Sequence, residues 1–248
     1  SKANKILFRN KKGKEFTIEH DRKFPWDLEK SNSTTDLKIL KGNIGLLTVS
    51  SFQDSDFDRS YFDQLYNKIL DTEGLIIDIR DNGGGNSSHA DYLISHFCNN
   101  PVPQGVWSSP MYIAAHASWN YPREFYKQTP EPISPVREKD IYQKPVVLLV
   151  NATTFSSAEN FCVSFRGAKR GKIVGTPTGG STGNPIFIDL GGGIGCCICT
   201  KHELDAEGNE FVGSGIQSDI VVEEDVGQFI RNKDNVIDKA LEVIVNEL

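Results

Sequence analysis

The chain has 248 residues, 38% hydrophobic and 24% charged, enough for one large core or for one domain with a fragment of another. Its 27 basic and 33 acidic residues give a net charge of -6, with the acidic side chains dispersed along the sequence, which argues against nucleic-acid binding by phosphate neutralisation and against attraction to anionic lipid. No uninterrupted apolar run is long enough to span a bilayer, and the opening "SKANKILFRNKKGKEF" lacks the apolar middle of a signal peptide, so any membrane association would come through an anchor lost from the chain.

In chain order, "KILFRN" and "EFTIEH" alternate polar and apolar residues around "KGKE" and predict a hairpin. The chain has no initiator methionine and this strand starts almost at once, so the sequence reads as a piece of a longer protein. A polar stretch, "DRKFPWDLEKSNSTTD", places a boundary near residue 36, giving units 1–36 and 37–248. Beyond it the pattern alternates: strand "IGLLTVSS", helix "RSYFDQLYNKILDT", strand "GLIIDIR", helix "SSHADYLISHFCN", strand "PVVLLVN", helix "SAENFCVSFRGA" and strand "KIVGT". Such alternation predicts an α/β fold, a mostly parallel sheet covered by helices. Residues 101–144 interrupt it with several prolines and Trp107, Tyr112, Trp119 and Tyr121, as either a functional lid or an excursion folded on its own aromatics. "NVIDKALEVIVNEL" closes the chain as an amphipathic helix. Cys98, Cys162, Cys196, Cys197 and Cys199 fit neither a paired zinc motif nor a regular disulfide framework and read as small apolar residues in buried strands.

Two turns carry the chemistry. In "VVLLVNATTFSSAENF" a strand turns into a helix at Ser156 and Ser157. Ser156 with Glu159 spells a capping box, which needs no catalytic role, yet the same geometry exposes a hydroxyl beside free N–H groups at the positive end of a helix. In "GLIIDIRDNGGGNSSHADYL" a strand ends at Asp78 and Arg80, Gly83, Gly84 and Gly85 follow, and a helix capped by Ser87 or Ser88 begins. Glycines let backbone N–H groups approach a bound group closely, as an oxyanion hole or phosphate site requires. Neither this loop nor "GAKRGKI" matches a phosphate-binding motif, and "KHELD" and "CCICTKH" lack metal-ligand spacing, so no cofactor and no metal is expected. The run "KHELDAEGNE" reads as a solvated hairpin turn.

Together the motifs resemble the tail-specific, or C-terminal-processing, serine peptidases, whose relatives include the tricorn core protease and the interphotoreceptor retinoid-binding protein repeats. "LIIDIRDNGGG" is similar to the family's signature strand and glycine loop, "VVLLVNATTFSSAE" to its nucleophile segment, "GKIVGTPTGGSTGN" to the following strand and loop, and "DAEGNEFVGSGIQSDIVV" to its closing segment, with Ser218 where proline is usual. The resemblance implies a ClpP/crotonase-like core, with the first residues as the last strands of a PDZ-like domain. It implies Ser156 as nucleophile, and the N–H of Ser157 with that of Gly84, or alternatively Gly85, as the oxyanion hole. The substrate would be unstructured or C-terminal polypeptide, and the location extracytoplasmic.

The base is where this sequence departs from the family. Lys172 precedes the strand "IVGT", too early for a Ser/Lys dyad, and the histidine segment of the tricorn-like branch, which precedes the PDZ domain, is not in this sequence. His89, just after the glycine loop, is the in-chain candidate, its alternative being a helix-start histidine touching solvent; His96 lies seven residues on. His20, His116 and His202 read as surface residues. Glu210 lies near the position of the tricorn-like glutamate, which aligns with Val212. A binding protein on the same fold, its aromatic insertion lining an apolar groove, is the rival reading, and a crotonase-type acyl-CoA enzyme, which has no use for Ser156, ranks third.

Overall fold

Residues 4–10, 13–20, 34–137, 140–229, 231 and 233–248 are described in the computed structural model of the chain, which divides into Ser1–Ser33 and Thr34–Leu248. In the first unit β1 (Asn4–Arg9) and β2 (Glu15–His20) pair antiparallel, with Arg9 opposite and ion-paired to Glu15. Phe8 and Phe16 stack across the hairpin at 5.5 Å, the kind of cross-strand pair that favours such a ribbon.

The second unit is built on a six-stranded sheet of order β13-β9-β8-β5-β4-β3. Its strands are β3 (Thr35–Leu40), β4 (Ile44–Val49), β5 (Gly74–Asp78), β8 (Val146–Val150), β9 (Gly171–Gly175) and β13 (Ile220–Val221). Every pair is parallel except β3 with β4, the antiparallel edge that the sequence reading passed over. Because side chains alternate across a strand, β5 sends Leu75 and Ile77 to one face and Ile76 to the other. The first face packs under α1 (Arg59–Ile69), α2 (Ser87–Ser95) and α4 (Ser157–Gly167) through Phe62, Leu65, Leu93, Phe161 and Phe165. The other is covered by α6 (Asn235–Glu247), whose Val236, Ala240 and Ile244 recur at helical spacing and contact Ile76 and Leu149. All five residues of β8 are buried, so it reads as an unbroken apolar run; each such side chain contributes about 1.5–3 kcal/mol relative to exposure.

The insertion is neither structureless nor self-contained. It supplies β6 (Val106–Met111), α3 (Ala114–Ser118) and β7 (Glu124–Gln128), and β6 also pairs with β12 (His202–Leu204) from the C-terminal half in a three-stranded sheet of order β12-β6-β7. Near α3, Trp119, 61% exposed, packs on His116 and Tyr121. A second hairpin joins β10 (Ile186–Asp189) to β11 (Gly195–Ile198). Here the cysteine reading fails in part. Cys98 and Cys162 are buried, but Cys199 is exposed just beyond β11, and Cys196 is half-buried and Cys197 exposed because the β10–β11 hairpin pairs with no further strand among the described residues. A short helix, α5 (Val226–Phe229), precedes α6. No helix of the described residues is long and apolar enough to cross a membrane.

Candidate active site

The two turns foreseen as chemical lie side by side at the C-terminal ends of the adjacent parallel strands β5 and β8. Side-chain and backbone hydrogen bonds tie them together. Asp81 accepts hydrogen bonds from Thr153 Oγ1 and from Asn151 Nδ2 (3.0 Å), which hold its carboxyl below the usual range, and Asn151 Oδ1 accepts from Asp81 N at 3.1 Å. Thr154 Oγ1 donates to Ile79 O at 3.1 Å. Asn82, fully buried, donates from Nδ2 to Val49 O and accepts Gly84 N at Oδ1, both at 2.9 Å, while its carbonyl accepts Phe155 N at 2.9 Å.

Ser156 stands at the N-cap of α4 with φ 55° and ψ -125°. A non-glycine residue at positive φ is strained by about 1–3 kcal/mol, and such strain persists only where the surroundings enforce it. They do so here: Ser156 N donates to Ser181 O at 2.9 Å, and the turn is pinned on its other side by Phe155 N. The capping box is not formed. The Ser156 hydroxyl caps nothing, and Glu159 turns chiefly to a later loop, accepting Thr178 Oγ1 at 2.6 Å, Gly180 N at 2.7 Å and Ser181 N at 2.8 Å, with the Ser156 N–H a weaker pull on its carboxyl. Burial pushes the Glu159 carboxyl above its ordinary range against the pull of those donors. Glu159 thus fixes the loop whose Ser181 carbonyl fixes Ser156.

The adjacent serines differ sharply. Ser156 is half-buried, whereas Ser157 is 2% exposed with its hydroxyl unpartnered among the described residues. The Ser157 N–H, at the positive end of α4, makes no hydrogen bond among the described residues. Gly84 lies directly over this corner: a methyl there would sit 2.7 Å from Ser156 Cβ and 3.0 Å from Ser157 N, at φ +89°. Gly85 is pressed against Phe52 through an isolated parallel bridge. The Gly84 N–H is taken by Asn82; that of Gly85 has no acceptor among the described residues.

His89 lies beyond the glycine loop on α2, but neither ring nitrogen is bonded to Ser156. Nδ1 accepts Arg59 Nε–H at 3.2 Å, which leaves Nε2 to donate to Asp54 Oδ1 at 3.0 Å, and the ring lies 5.1 Å from that of Phe57. Near the start of α2, its side chain is 12% exposed and keeps a narrow contact with solvent. The helix cap expected at Ser87 or Ser88 is Asn86, whose Oδ1 accepts Ser88 N at 2.9 Å. His96 is buried as the C-cap residue of α2 with Nδ1 2.8 Å from Tyr92 O, Lys172 is exposed on β9, and Glu210 pairs with His202 at 3.1 Å. His116 pairs with Glu124 at 2.8 Å, and the His20 side chain lies outside the described residues. Val212 is 40% exposed. Among the described residues no cluster of three or more His, Cys, Asp or Glu is placed to hold a metal.

Residues 43–222 match the model of peptidase family S41. The chain belongs to that family. Its serine peptidases are hydrolases, and the match spans both turns and the loop at 178–181. Among solved structures, one of a Parabacteroides merdae protein assigned as a peptidase aligns with TM-score 0.71 at 23% identity over 87% of this chain and 65% of that one. Mature CPAF complexed with lactacystin aligns with TM-score 0.72 at 16% identity, covering 98% and 68% respectively. The photosystem II D1 C-terminal processing protease aligns with TM-score 0.56 at 15% identity, covering 88% and 55%. At these identities the likeness establishes a shared α/β fold with a mostly parallel central sheet. The chain spans between about half and two thirds of the length of these proteins.

Five residues of this region are not singled out by the sequence alone. Asn82 sits inside the quoted "DIRDNGGG", but its side chain ties the glycine turn to Val49 and its carbonyl accepts Phe155 N, partners that only the fold brings together. Thr178, Gly180 and Ser181 lie in the quoted loop "TPTGGSTGN", but their anchor on Glu159 was hidden behind a plausible local cap. Glu203, within "KHELDAEGNE", is buried rather than solvated.

Proposed function

We propose that the chain is the catalytic part of a serine endopeptidase that cleaves unstructured or C-terminal polypeptide through an acyl-enzyme at Ser156. The observation that carries this reading is the Ser156 corner itself: a half-buried hydroxyl, strained backbone, and the unengaged Ser157 amide at a helix N-terminus under Gly84. In the reaction Ser156 Oγ attacks the peptide carbonyl carbon as a base removes its proton. The carbonyl oxygen becomes an oxyanion held by the Ser157 N–H and a glycine-loop N–H. The amine leaves with the returned proton, and water then releases the acyl group by the reverse sequence of transfers. Of the glycine amides, Gly84 is closest to the corner, but its N–H is occupied by Asn82, which favours Gly85 as the second donor.

The reading assigns the general base to a group outside the described residues, because both nitrogens of His89 are held by Arg59 and Asp54. It retains the hairpin of residues 4–20 as the remnant of a PDZ-like domain and an extracytoplasmic location, both on the family resemblance; fractionation of cells would place the protein in the cytoplasm if the latter is wrong.

A fluorophosphonate probe, read by intact mass and peptide mapping, tests the reading. A single adduct at Ser156, absent in Ser156→Ala, is expected from a longer chain that includes the base-bearing segment. Hydrolysis of an unfolded protein that survives Ser156→Ala unchanged would refute it.

A further inference from the structure

Beside Ser156 the structure contains a cleft of about 640 Å³, its solvent-open mouth included, between α4 and the small sheet formed by β12 and β6. Its walls include residues that closely follow both turns in the chain. Ser87, on its wall, follows the glycine loop by two residues, and Asn160, on another, lies one helical turn beyond Ser156, with Asn160 N donating to Ser156 O at 3.1 Å. Residues four apart on a helix are neighbours on one face, so a side chain of a substrate bound at Ser156 has a short path into this cleft.

The polar groups of the cleft are unequally satisfied. Glu203 and Trp107 are directly opposed in the β12–β6 register and share a face of the sheet. Glu203 is 9% exposed; its Oε2 accepts Thr182 Oγ1 at 2.6 Å, and its carboxylate makes no ion pair among the described residues. Lys201, two residues earlier on the chain, does not neutralise it: its ammonium lies over the Trp107 ring, 4.2 Å from the centroid. Asn160 Oδ1 is buried in the same wall with no hydrogen-bond donor among the described residues. Buried carboxylates are paired or bonded to a donor-rich partner, because an isolated one carries a large desolvation cost. A cleft with apolar walls at Val163, Leu204 and Phe211, one unmet acceptor in Asn160 Oδ1 and a carboxylate whose one hydrogen bond comes from the neutral Thr182 hydroxyl suits a side chain with an aliphatic stem and a cationic, donor-bearing head.

We propose that this cleft is a specificity pocket for a lysine or arginine side chain of the substrate next to the scissile bond, with Glu203 as the counter-ion and Asn160 as a second acceptor. The assignment to a substrate side chain rests on the peptidase reading; the cation site does not.

Two arms separate the claims. In the first, needing no turnover, 4-aminobenzamidine is titrated against the chain and followed by its fluorescence and by quenching of Trp107. Saturable binding is expected, weakened roughly tenfold or more by Glu203→Gln and for the uncharged 4-aminobenzamide, since removing one partner of a desolvated charge pair has effects of at least that size. Asn160→Leu, which leaves the Thr182–Glu203 bond in place, is expected to weaken it several-fold and serves if the first variant does not fold. Absence of saturation, or equal binding of amidine and amide, overturns the site. In the second arm, a longer chain with hydrolytic activity is offered peptides differing only at the residue before the scissile bond. Preference for Lys and Arg over norleucine, lost in Glu203→Gln, supports the pocket. Hydrolysis without that preference overturns it while leaving the peptidase reading intact, and amidine binding without any hydrolysis does the reverse.

Discussion

The turns after β5 and β8 are neighbours built to opposite rules. After β5 the chain uses glycines, so Gly84 and Gly85 reach φ +89° and +142° without a Cβ to clash, and the turn is free to press its backbone against Phe52 and Ser156. After β8 the chain holds a serine at φ 55°, where glycine would be easier, and pins it by hydrogen bonds from Phe155 N to the Asn82 carbonyl and from Ser156 N to the Ser181 carbonyl. The first turn achieves close approach by having no side chain. The second accepts strain in order to keep one. The difference points to the Ser156 hydroxyl as the group whose presence the local structure is organised to preserve.

The sharpest way to break the first turn is Gly85→Ala. The new methyl would lie 2.2 Å from Phe52 C and 2.4 Å from Gln53 N, both backbone atoms, in a conformation L residues rarely adopt. A loss of about 3 kcal/mol or more in denaturant unfolding is expected; a loss below about 1 kcal/mol would mean that the glycine turn is much more compliant than its contacts imply.

In the second turn the corresponding weak point is remote from the serine. Glu159→Ala leaves the N–H groups of Gly180 and Ser181 without their acceptor and releases the loop that holds Ser156 N. The expected cost is about 2–3 kcal/mol, from the unmet buried donors, together with slower fluorophosphonate labelling of Ser156 in a chain able to be labelled. Unchanged labelling at reduced stability would confine Glu159 to a purely structural role.

The strain itself can be measured by comparing two variants at residue 156. Ser156→Gly relieves the positive φ and Ser156→Ala does not, so the glycine variant should be the more stable by about 1 kcal/mol despite the greater flexibility of its unfolded chain. If the alanine variant is equally stable, the backbone at residue 156 is not under strain and the contrast between the turns disappears.

How much of this was legible in the sequence follows the same division. The buried strands β4, β5, β8 and β9 and the helices beside them were readable because apolar periodicity is a local signal. The edge strand β3, with exposed residues on both faces, and the short strands from 186 to 204 carry no such pattern. In the site, Ser156 and the glycines could be named from motif order, but S-x-x-E is ambiguous by itself: whether Glu159 bonds its own helix start or a loop twenty residues on depends on where β9 delivers residues 178–181. His89 illustrates the converse. Its place in the chain near the glycine loop was correct, and its partners, Arg59 and Asp54, came from segments that no local pattern connects to it.

Each turn opens a helix with a carboxyl inside, and these two groups extend the contrast. Glu159 on α4 receives three hydrogen bonds; Asp91 on α2, half-buried, receives none among the described residues, and burial raises its pKa to about 6, with Arg59 pulling weakly the other way. A carboxyl whose folded pKa is raised binds its proton more tightly folded than unfolded. Its contribution is therefore fully present below the unfolded value, near 4, and is lost as pH rises through about 6. Asp91→Asn should thus leave stability almost unchanged at pH 4 and raise it above pH 6, by about 1 kcal/mol once the partial exposure of the group is allowed for. Denaturation midpoints of the two proteins across pH 4 to 7 give the answer: curves that diverge as pH rises support an unsatisfied carboxylate on α2, and parallel curves would mean that Asp91 is as well solvated as a surface aspartate, so that α2, unlike α4, carries no buried charge at all.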